Sequence, residues 1–514
     1  MLSKVYSATM QGLKAIPVTI EVNSSEAVES RFVIVGLPDN AVKESQERVL
    51  SALNVNGYNV PARKTVVNLA PADLRKEGSG FDLPMAIGLL QALEKLDIQH
   101  SEQYMFLGEL SLDGTILPVK GALPVSIMAR SMGYKALFVP EENAREAAVV
   151  DRLKVYGVHH LNDVVNILNG MSDTEPTVVN TREEFYAEQL NFDYDFSEVR
   201  GQENVKRAFE VAAAGGHNII LVGSPGCGKS MMAKRLPSIL PPLSLSESLE
   251  TTQIHSVAGK LSRDTSLISQ RPFRSPHHTI SDVALVGGGA TFMPGEICLA
   301  HNGVLFLDEL PEFSRSVLET LRQPLEDRII TVSRAKYTFT LPCSFMLVAS
   351  MNPCPCGYHH HPTHACVCTP AQITRYMNKI SGPLMDRIDI QVEVENVPFE
   401  DISKAPEGER SESIRERVLR ARRIQEDRFK GHRGIHCNAQ MTTSLLQKYA
   451  VLDADSMERL RTAMRQLNLS ARAYDRILKV SRTIADLDGS ENISSYHVAE
   501  AIGYRNLDRD NWFE

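Results

Sequence analysis

Along the first third of the chain, apolar and polar positions alternate with two periods, one typical of strands and one typical of helices. From Lys14 to about Gly170, short β-branched runs such as AIPVTIEV and FVIVGL precede amphipathic stretches such as NAVKESQERVLSAL. Strand-length and helix-length patterns in alternation predict an α/β domain over residues 1–170. Residues 171–195 are polar and lack a sustained apolar period, which predicts a linker.

A second α/β pattern begins at Phe196 and continues to about residue 395. Four apolar runs, NIILVG, GVLFLDEL, SFMLVAS and IDIQVEV, are separated by helical stretches. Near-continuous apolar runs are typical of strands covered on both faces, so residues 196–395 predict a parallel sheet between helices. Residues 396–514 lose this β-character and show amphipathic helical patterns, which predict an all-α C-terminal lid domain.

Length and composition narrow the class of protein. The 514 residues exceed what one core organises, and 43% hydrophobic and 23% charged residues are ordinary for folded domains. The chain begins without the apolar core of a signal peptide, and no stretch reaches the roughly 18 apolar residues of a spanning helix. We therefore expect a cytoplasmic protein without membrane contact. The net charge of -8 gives no general attraction to nucleic acid, so such binding would need local basic patches.

The strongest motif is GSPGCGKS, which follows the apolar run NIILV and precedes the helical run MMAKRL. Glycines at these positions let backbone N–H groups converge on phosphates at a helix N-terminus. Lys229 is expected to reach the β- and γ-phosphates of ATP, and the Ser230 hydroxyl to join the Mg²⁺ shell. The predicted nucleotide-binding residues are Gly223, Ser224, Pro225, Gly226, Cys227, Gly228, Lys229, Ser230 and Asp308.

Two further apolar runs end in polar residues that suit phosphate chemistry. The run GVLFLDEL delivers Asp308 and Glu309. We expect Asp308 to hold Mg²⁺ together with Ser230, and Glu309 to act as general base for the attacking water. The run SFMLVASMN ends in Asn352, a neutral side chain that suits positioning of that water or sensing of the γ-phosphate.

Four blocks resemble the magnesium-chelatase-like AAA+ family that contains ComM and YifB. They are GSPGCGKS, RPFRSPHHTISDVALVGGGATFMPGEICLAHNGVLFLDELPEF, ASMNPCPCG and SGPLMDRIDI, and they occur in one order along the chain. The resemblance implies an AAA+ P-loop NTPase core, with Asn352 as sensor 1 and Arg387 as the arginine finger that reaches a neighbouring subunit's ATP. It places sensor 2 at Arg472, with Arg476 as the alternative, and implies a ring, which we expect to be a homo-hexamer.

The N-terminal domain resembles the Lon protease domain in APADLRKEGSGFDLPMAIG and GELSLDGTILPVKGALPV. Aligning these motifs puts Gly80 where the Lon family has its nucleophilic serine and Leu123 where it has its lysine. Ser79 and Lys120 lie nearby in sequence, but a catalytic dyad needs hydrogen-bond reach between its two side chains. We therefore predict a domain without protease activity, and a hydrogen bond between Ser79 and Lys120 would reopen the question.

Two signals concern metals and nucleic acid. Four of the eight cysteines form CPC and CVC pairs, enough thiolates for a closed tetrahedral Zn²⁺ site, with reduced free thiols as the alternative. These are Cys354, Cys356, Cys366 and Cys368.

The segment RIITVSRAKYTFTL predicts a β-hairpin whose turn carries Arg334 and Lys336. Two interpretations of this turn stay open, contact with DNA phosphates and a solvated tip. Five arginines between residues 415 and 423 form the densest basic stretch in the chain, for which a solvated or intersubunit helix face is at least as good an interpretation as nucleic-acid contact.

These features together predict an ATP-hydrolysing ring motor. The resemblance to the ComM family implies action on single-stranded or branched DNA, as a helicase or branch-migration motor in DNA uptake and recombination. Two alternatives stay open: a protein-remodelling ATPase like the magnesium chelatase subunit, and a nucleotide-controlled scaffold whose Lon-like domain binds partners. Stimulation of ATP turnover by DNA would distinguish the first reading from the other two.

Overall fold

The computed structural model describes residues 2–26, 31–289, 292–333, 338–359, 361–396, 408–432, 434–467 and 469–505. The chain divides into two compact units. The first comprises Met1–Glu188, Leu245–Ser269 and Gly289–Pro294, and the second Gln189–Ser244, Gln270–Gly288 and Gly295–Glu514. The first unit therefore contains a segment, residues 245–269, that lies within the predicted 196–395 core along the sequence. The predicted linker contains the helix Thr181–Glu188, and the boundaries at 170, 195 and 395 stay predictions.

The first unit is built on a mixed seven-stranded sheet with the strand order β3-β4-β2-β1-β5-β8-β9. Strands β1, β2 and β4 pair antiparallel, whereas β3 with β4 and the series β1, β5, β8, β9 pair parallel. A short β6–β7 hairpin lies outside this sheet. The strands are β1 Leu2–Gln11, β2 Lys14–Glu26, β3 Arg31–Val35, β4 Arg63–Ala70, β5 Tyr104–Phe106, β6 Glu109–Leu110, β7 Ile116–Leu117, β8 Ala136–Pro140 and β9 Lys154–Val158.

One helix of the first unit is apolar on nearly every side, and it is almost completely buried. This helix, Asp82–Ala92, has the sequence DLPMAIGLLQA, as expected for a helix enclosed by a core rather than lying on a surface. Its buried first residue, Asp82, accepts two hydrogen bonds from Arg48, at 2.6 and 3.1 Å. The helices of this unit are Asn40–Val55, Asp82–Ala92, Ala122–Ser131, Ala144–Ala147, Leu161–Leu168, Thr181–Glu188 and Leu245–Ala258.

The second unit contains a five-stranded parallel sheet with the order β11-β14-β17-β10-β18. The four apolar runs predicted as strands form β10, β14, β17 and β18, and all four are almost entirely buried. The strands from β10 onward are β10 Ile219–Gly223, β11 Phe273–Arg274, β12 Gly287–Gly288, β13 Met293–Pro294, β14 Val304–Leu307, β15 Ile329–Ser333, β16 Thr338–Pro342, β17 Met346–Met351 and β18 Ile390–Val394. Of these, β13 belongs to the first unit.

The strand order decides which loops meet. Strand β17 lies between β10 and β14, and all three run in the same direction. The carboxyl ends of parallel strands share one edge of a sheet, which is where open α/β sheets bind ligands. The phosphate loop after β10, the acidic pair after β14 and Asn352 after β17 are therefore brought to a single edge.

Helices surround this sheet and form the C-terminal part of the second unit, as predicted. Along the core they are Glu203–Gly215, Lys229–Arg235, Asp282–Val286, Glu296–Leu299, Arg315–Thr320, Arg322–Asp327, Pro370–Met377 and Gly382–Met385. Beyond the core they are Ser411–Arg428, Thr443–Tyr449, Ala454–Gln466, Ala471–Leu487 and Ser495–Gly503. Within the described residues, no helix combines the length and the apolar content that a bilayer crossing requires.

The arginine-rich helix Ser411–Arg428 uses several of its cations within the second unit. Arg415 donates to the Ser238 carbonyl at 2.7 Å, and Arg422 donates to the Ala213 carbonyl at 2.9 Å. Arg417 forms ion pairs with Glu210 and Glu409. These three arginines join the C-terminal helices to the core, so the density of positive charge in the sequence does not translate into an equally dense basic surface.

Candidate nucleotide-binding site

The phosphate loop connects the buried strand β10 to the helix Lys229–Arg235. Gly226 and Gly228 have φ angles of +83° and +91°, in the left-handed region that favours glycine. At Gly223 the reason is space, since an added Cβ would lie 2.4 Å from the Val394 carbonyl oxygen of β18. The loop thus needs glycine at all three positions to pass from strand to helix N-terminus, where backbone N–H groups and the helix dipole favour phosphate.

Lys229 is buried and points back into the loop. Its ammonium donates to the carbonyl oxygens of Gly223 at 2.7 Å and Ser224 at 2.9 Å. It also donates to Asn352 Oδ1 at 3.2 Å. All three acceptors are neutral, so the positive charge stays available to an anion in the loop. The contact with Asn352 joins the predicted sensor 1 to the predicted phosphate-binding lysine.

The two predicted Mg²⁺ ligands are in direct contact. Ser230 Oγ donates to Asp308 Oδ2 at 2.6 Å, and the Ser350 hydroxyl donates to Asp308 Oδ1. The Glu309 backbone N–H also donates to Asp308 Oδ1, at 3.1 Å. A hydroxyl and a carboxylate side by side next to a phosphate loop are the hard oxygen donors that Mg²⁺ takes in nucleotide sites. The residues present therefore fit a magnesium–nucleotide complex.

Glu309 stands apart from this hydrogen-bonded set. Its backbone is left-handed, with φ of +54°, and its side chain is 57% exposed, so it projects from the strand end toward solvent. His278 Nδ1 lies 3.6 Å from Glu309 Oε2, close enough for electrostatic contact but too long for a hydrogen bond. A general base for the attacking water has to lie near the metal and face solvent. Glu309, which follows the predicted Mg²⁺ ligand Asp308 and faces solvent, meets both conditions.

Two residues near the site went unnoticed in the sequence. Ser350 could have been found, because it lies on β17 two positions before Asn352, which directly follows that strand, and alternate residues of an extended chain share a face. His278 lies in the long block that carries the family resemblance, but nothing in its local pattern connects it with Glu309.

The predicted arginine finger and sensor 2 lie at the opposite edge of the sheet. Asn218, which immediately precedes β10, donates from Nδ2 to the Arg387 carbonyl at 3.1 Å. Arg472 is 66% exposed and pairs with Asp386, the neighbour of Arg387, at 3.2 Å. Since β10 has five residues, the two edges are about 16 Å apart. Arg387 and Arg472 thus share a surface with each other and not with the phosphate loop of their own chain.

A buried ion pair anchors this arginine edge. Asp389 Oδ1 lies 3.0 Å from Arg476 Nη1, and Asp389 Oδ2 lies 3.1 Å from His217 Nδ1. Burial alone would raise the pKa of Asp389, but Arg476 and His217 hold the pKa of this carboxyl well below its usual range. Burial and the neighbouring Arg476 lower the pKa of Lys479 to about 8. Arg476 thus pairs with a buried carboxylate, whereas Arg472 pairs with Asp386 and is 66% exposed.

Replacing Asp389 by asparagine is expected to lower the free energy of unfolding by about 2 kcal/mol, because it leaves Arg476, whose side chain is 25% exposed, without its charged partner. The folded pKa of Asp389 lies below the unfolded value of about 3.9, so its stabilising effect is present at neutral pH and is lost as the pH falls through and below that value. Urea unfolding at pH 7 measures the destabilisation by Asp389→Asn, and urea unfolding below about pH 3.9 is expected to show a smaller difference between the variant and the unaltered protein. Asp455→Asn, at an exposed position, is the control, and equal stability of the two variants would contradict the assignment.

Four cysteines form a compact group, here called the cysteine cluster: Cys354, Cys356, Cys366 and Cys368. Their sulfur atoms all lie within 4.8 Å of one another. Three of the separations are 3.3, 3.7 and 3.6 Å. Zn–S bonds of about 2.3 Å in a tetrahedron put the sulfur atoms about 3.8 Å apart. The spacing of the thiols therefore fits a closed tetrahedral Zn²⁺ site.

The Lon-like part of the first unit does not form a serine–lysine dyad. The Ser79 hydroxyl donates to Glu109, and Lys120 Nζ contacts Met293 Sδ at 3.7 Å. Gly80 offers no side chain, and Leu123 is fully buried in the core. The two positions aligned with the Lon catalytic pair thus carry no catalytic group, and the nearby Ser79 and Lys120 have other partners.

The predicted basic hairpin is described only in part. Strands β15 and β16 pair antiparallel from Ile329 to Pro342, as the sequence predicts. Its tip, residues 334–337, lies outside the described residues. The expectation that Arg334 and Lys336 contact DNA therefore stays a prediction.

Comparison with known proteins places this arrangement in a family. Residues 195–402 match the family model described as magnesium chelatase, subunit ChlI, residues 20–143 match subunit ChlI of Mg-chelatase, and residues 408–505 match the ChlI C-terminal model. Competence protein ComM of Haemophilus influenzae is 44% identical over 510 residues, which cover 99% of this chain and 98% of ComM. The chain belongs to the ComM/YifB family.

Other relatives agree with this placement. YifB of Escherichia coli is 42% identical over 512 residues, 99% of this chain and 98% of its own. Lon protease 2 of Bacillus subtilis is 26% identical over 137 residues, 26% of this chain and 24% of its own. As a magnesium-chelatase-like member of the AAA+ class, this ComM/YifB protein is an ATPase that uses ATP and Mg²⁺. The roles of individual side chains stay predictions.

Proposed function

We propose that this ComM/YifB protein is a cytoplasmic homo-hexameric ring motor that hydrolyses ATP to act on single-stranded or branched DNA. The observation that supports the ring is the separation of two half-sites in the second unit. One edge of the sheet carries Lys229, Asp308 and Glu309, and the opposite edge carries Arg387 and Arg472. Neither half contains everything that phosphoryl transfer needs.

A head-to-tail ring resolves this separation. A heterologous interface places a different surface of each subunit against its neighbour and closes if the rotation allows. The arginine edge of one subunit then meets the phosphate loop of the next, and each ATP is held between Lys229 of one chain and Arg387 of another. Arg387 would neutralise charge on the γ-phosphate, and Arg472 is the sensor 2 residue that this arrangement leaves exposed.

Action on DNA is supported by the near full-length similarity to a competence protein. The sequence predicts Arg334 and Lys336 in the turn between β15 and β16, outside the described residues. Cations in such a turn suit phosphate contacts, which bind without reading sequence. This fits a motor that moves along a strand rather than one that recognises a site.

The DNA proposal is tested by magnesium-dependent ATP hydrolysis with and without single-stranded, duplex and forked DNA. We expect DNA to stimulate turnover, and Arg334→Ala with Lys336→Ala to weaken this stimulation while leaving DNA-free turnover unchanged. Lys43→Ala with Lys154→Ala, which removes two exposed cations from the first unit, is the matched control. DNA-indifferent turnover would refute the DNA motor and favour a protein-remodelling ATPase, in line with the magnesium chelatase family models.

The cysteine cluster is proposed to hold one structural Zn²⁺. Four thiolates close the coordination sphere and leave no open position for catalysis. The purified protein is expected to contain about one zinc per chain by elemental analysis, and removal of two of the four thiols should abolish it. A metal-free protein prepared without chelators and in reducing buffer would show instead that these are free thiols.

A further inference from the structure

The turn that carries the first two cysteines of the cluster, residues 354–357, lies directly against the phosphate loop. Gly357 follows Cys356, and its N–H donates to the Cys354 carbonyl at 3.0 Å. Its φ is +85°, and a Cβ added there would lie 2.5 Å from Pro225 Cδ, far inside van der Waals contact. The backbone of this turn and the ring of Pro225 are therefore packed with no room for a side chain between them.

Two more contacts attach the same segment to the nucleotide edge of the sheet. Asn352, two residues before Cys354, accepts a hydrogen bond from Lys229 at 3.2 Å. Within the loop that joins the two cysteine pairs, His361 Nε2 lies 2.8 Å from Asn396 Nδ2, just beyond the end of β18. Strands β17 and β18 are the two neighbours of β10. The cysteine segment is thus fixed on both sides of the strand that leads into the phosphate loop.

We propose that the cysteine cluster, with zinc bound, is a positioning device for ATP binding: it holds the Gly357 turn against Pro225 and so keeps the phosphate loop in its binding conformation. This inference rests on the zinc site proposed above. The described residues of this segment, 353–359 and 361–368, contain no helix or strand, so the shape of the segment depends on side-chain links. Cross-links that fix an irregular segment remove its conformational freedom, and a metal site couples binding to local folding.

The consequence falls on ATP affinity rather than on chemistry. A saturated site offers no position to substrate, so the cysteines act through Pro225 and not on the phosphates. Displacement of a binding group by about 1 Å can cost about 100-fold in function. We therefore expect loss of the metal to weaken ATP binding by about tenfold, with turnover at saturating ATP changed much less.

The test uses the full-length protein and the double variant Cys366→Ser with Cys368→Ser, whose changes lie in the pair that is farther along the chain from Gly357. The matched control is Val367→Ser, between the same two cysteines and 83% exposed. Zinc is measured by elemental analysis, and affinity by titration with a fluorescent ATP analogue. We expect the double variant to lose both zinc and affinity, and the control to keep both. Loss of zinc with unchanged affinity would overturn the positioning role while leaving the zinc site intact.

A second variant separates contact from metal. Gly357→Ala keeps all four thiols but places a methyl group against Pro225, so we expect retained zinc and weakened ATP binding. Unchanged affinity in Gly357→Ala would also overturn the proposal, and it gives an answer even if the double variant fails to fold. Absence of zinc from the unaltered protein would remove both this inference and the zinc site. Failure of the unaltered protein to bind ATP would instead count against the proposed motor.

Discussion

Arg387→Ala is expected to lower ATP turnover by about 10³-fold or more, while ATP binding is retained. The Arg387 backbone contacts Asn218 at the far edge of the sheet from the phosphate loop, and its guanidinium pairs with Glu326, so its removal leaves Lys229, Ser230 and Asp308 untouched. What is lost is the positive charge that a neighbouring subunit directs at the γ-phosphate. Steady-state hydrolysis at saturating Mg-ATP, together with nucleotide titration, measures the two quantities separately.

Arg459→Ala, at an exposed position in a C-terminal helix, is the control for removing an arginine from the second unit. Arg387 also pairs with Glu326 within its own chain, so the variant is checked for unchanged thermal stability. Near-normal turnover by a stable Arg387→Ala protein would show that the Arg387 guanidinium serves only contacts within its own chain, such as the pair with Glu326.

Glu309→Gln is expected to reduce turnover by about 10²- to 10⁴-fold without weakening ATP binding. The amide keeps the size of the side chain but cannot take a proton from water. Asp308 accepts hydrogen bonds from the Ser230 and Ser350 hydroxyls, and the change does not affect these bonds. Single-turnover hydrolysis distinguishes a slowed chemical step from slowed product release.

Glu312→Gln is the matched control, because Glu312 lies three residues further along the same loop and pairs with Lys379 at the surface. If both variants hydrolyse ATP at the rate of the unaltered protein, the general base is elsewhere. If both are impaired to the same degree, the effect belongs to the loop and not to Glu309.

Local hydrophobic patterns predicted most of the strands in the parallel sheet of the second unit. The four apolar runs became β10, β14, β17 and β18 because buried parallel strands need apolar side chains on both faces. Local patterns could not predict the order of the strands in the sheet, because a run of apolar residues does not indicate which strands it pairs with. Only the structure shows β17 between β10 and β14, and this order is what brings Asn352 to Lys229.

The site was predictable where chemistry fixes both residue type and spacing. The glycines, Lys229 and Ser230 follow from the needs of phosphate and Mg²⁺, so the sequence alone predicts them, and their roles stay predictions. Contacts between segments far apart along the chain could not be predicted from the sequence. The packing of Gly357 on Pro225 joins residues far apart along the chain, and periodicity reports only near neighbours.

The arginine-rich helix illustrates the same limit for charge. Sequence shows a cluster of cations but not their partners. Arg415, Arg417 and Arg422 bind carbonyls and carboxylates within the second unit, because long side chains on a helix that packs against a core reach whatever acceptors the core presents. A charge run in the sequence therefore does not show which of its cations remain available at the surface.

The central claim, that each active site is completed by a neighbouring subunit, is tested most directly by mixing two inactive variants. Arg387→Ala retains Glu309, and Glu309→Gln retains Arg387, so some interfaces in mixed rings contain both residues. Random mixing in equal amounts is expected to restore turnover to about a quarter of the normal value, since one interface in four joins an intact base to an intact arginine. No recovery in rings shown by affinity-tag capture to contain both variants would contradict the claim.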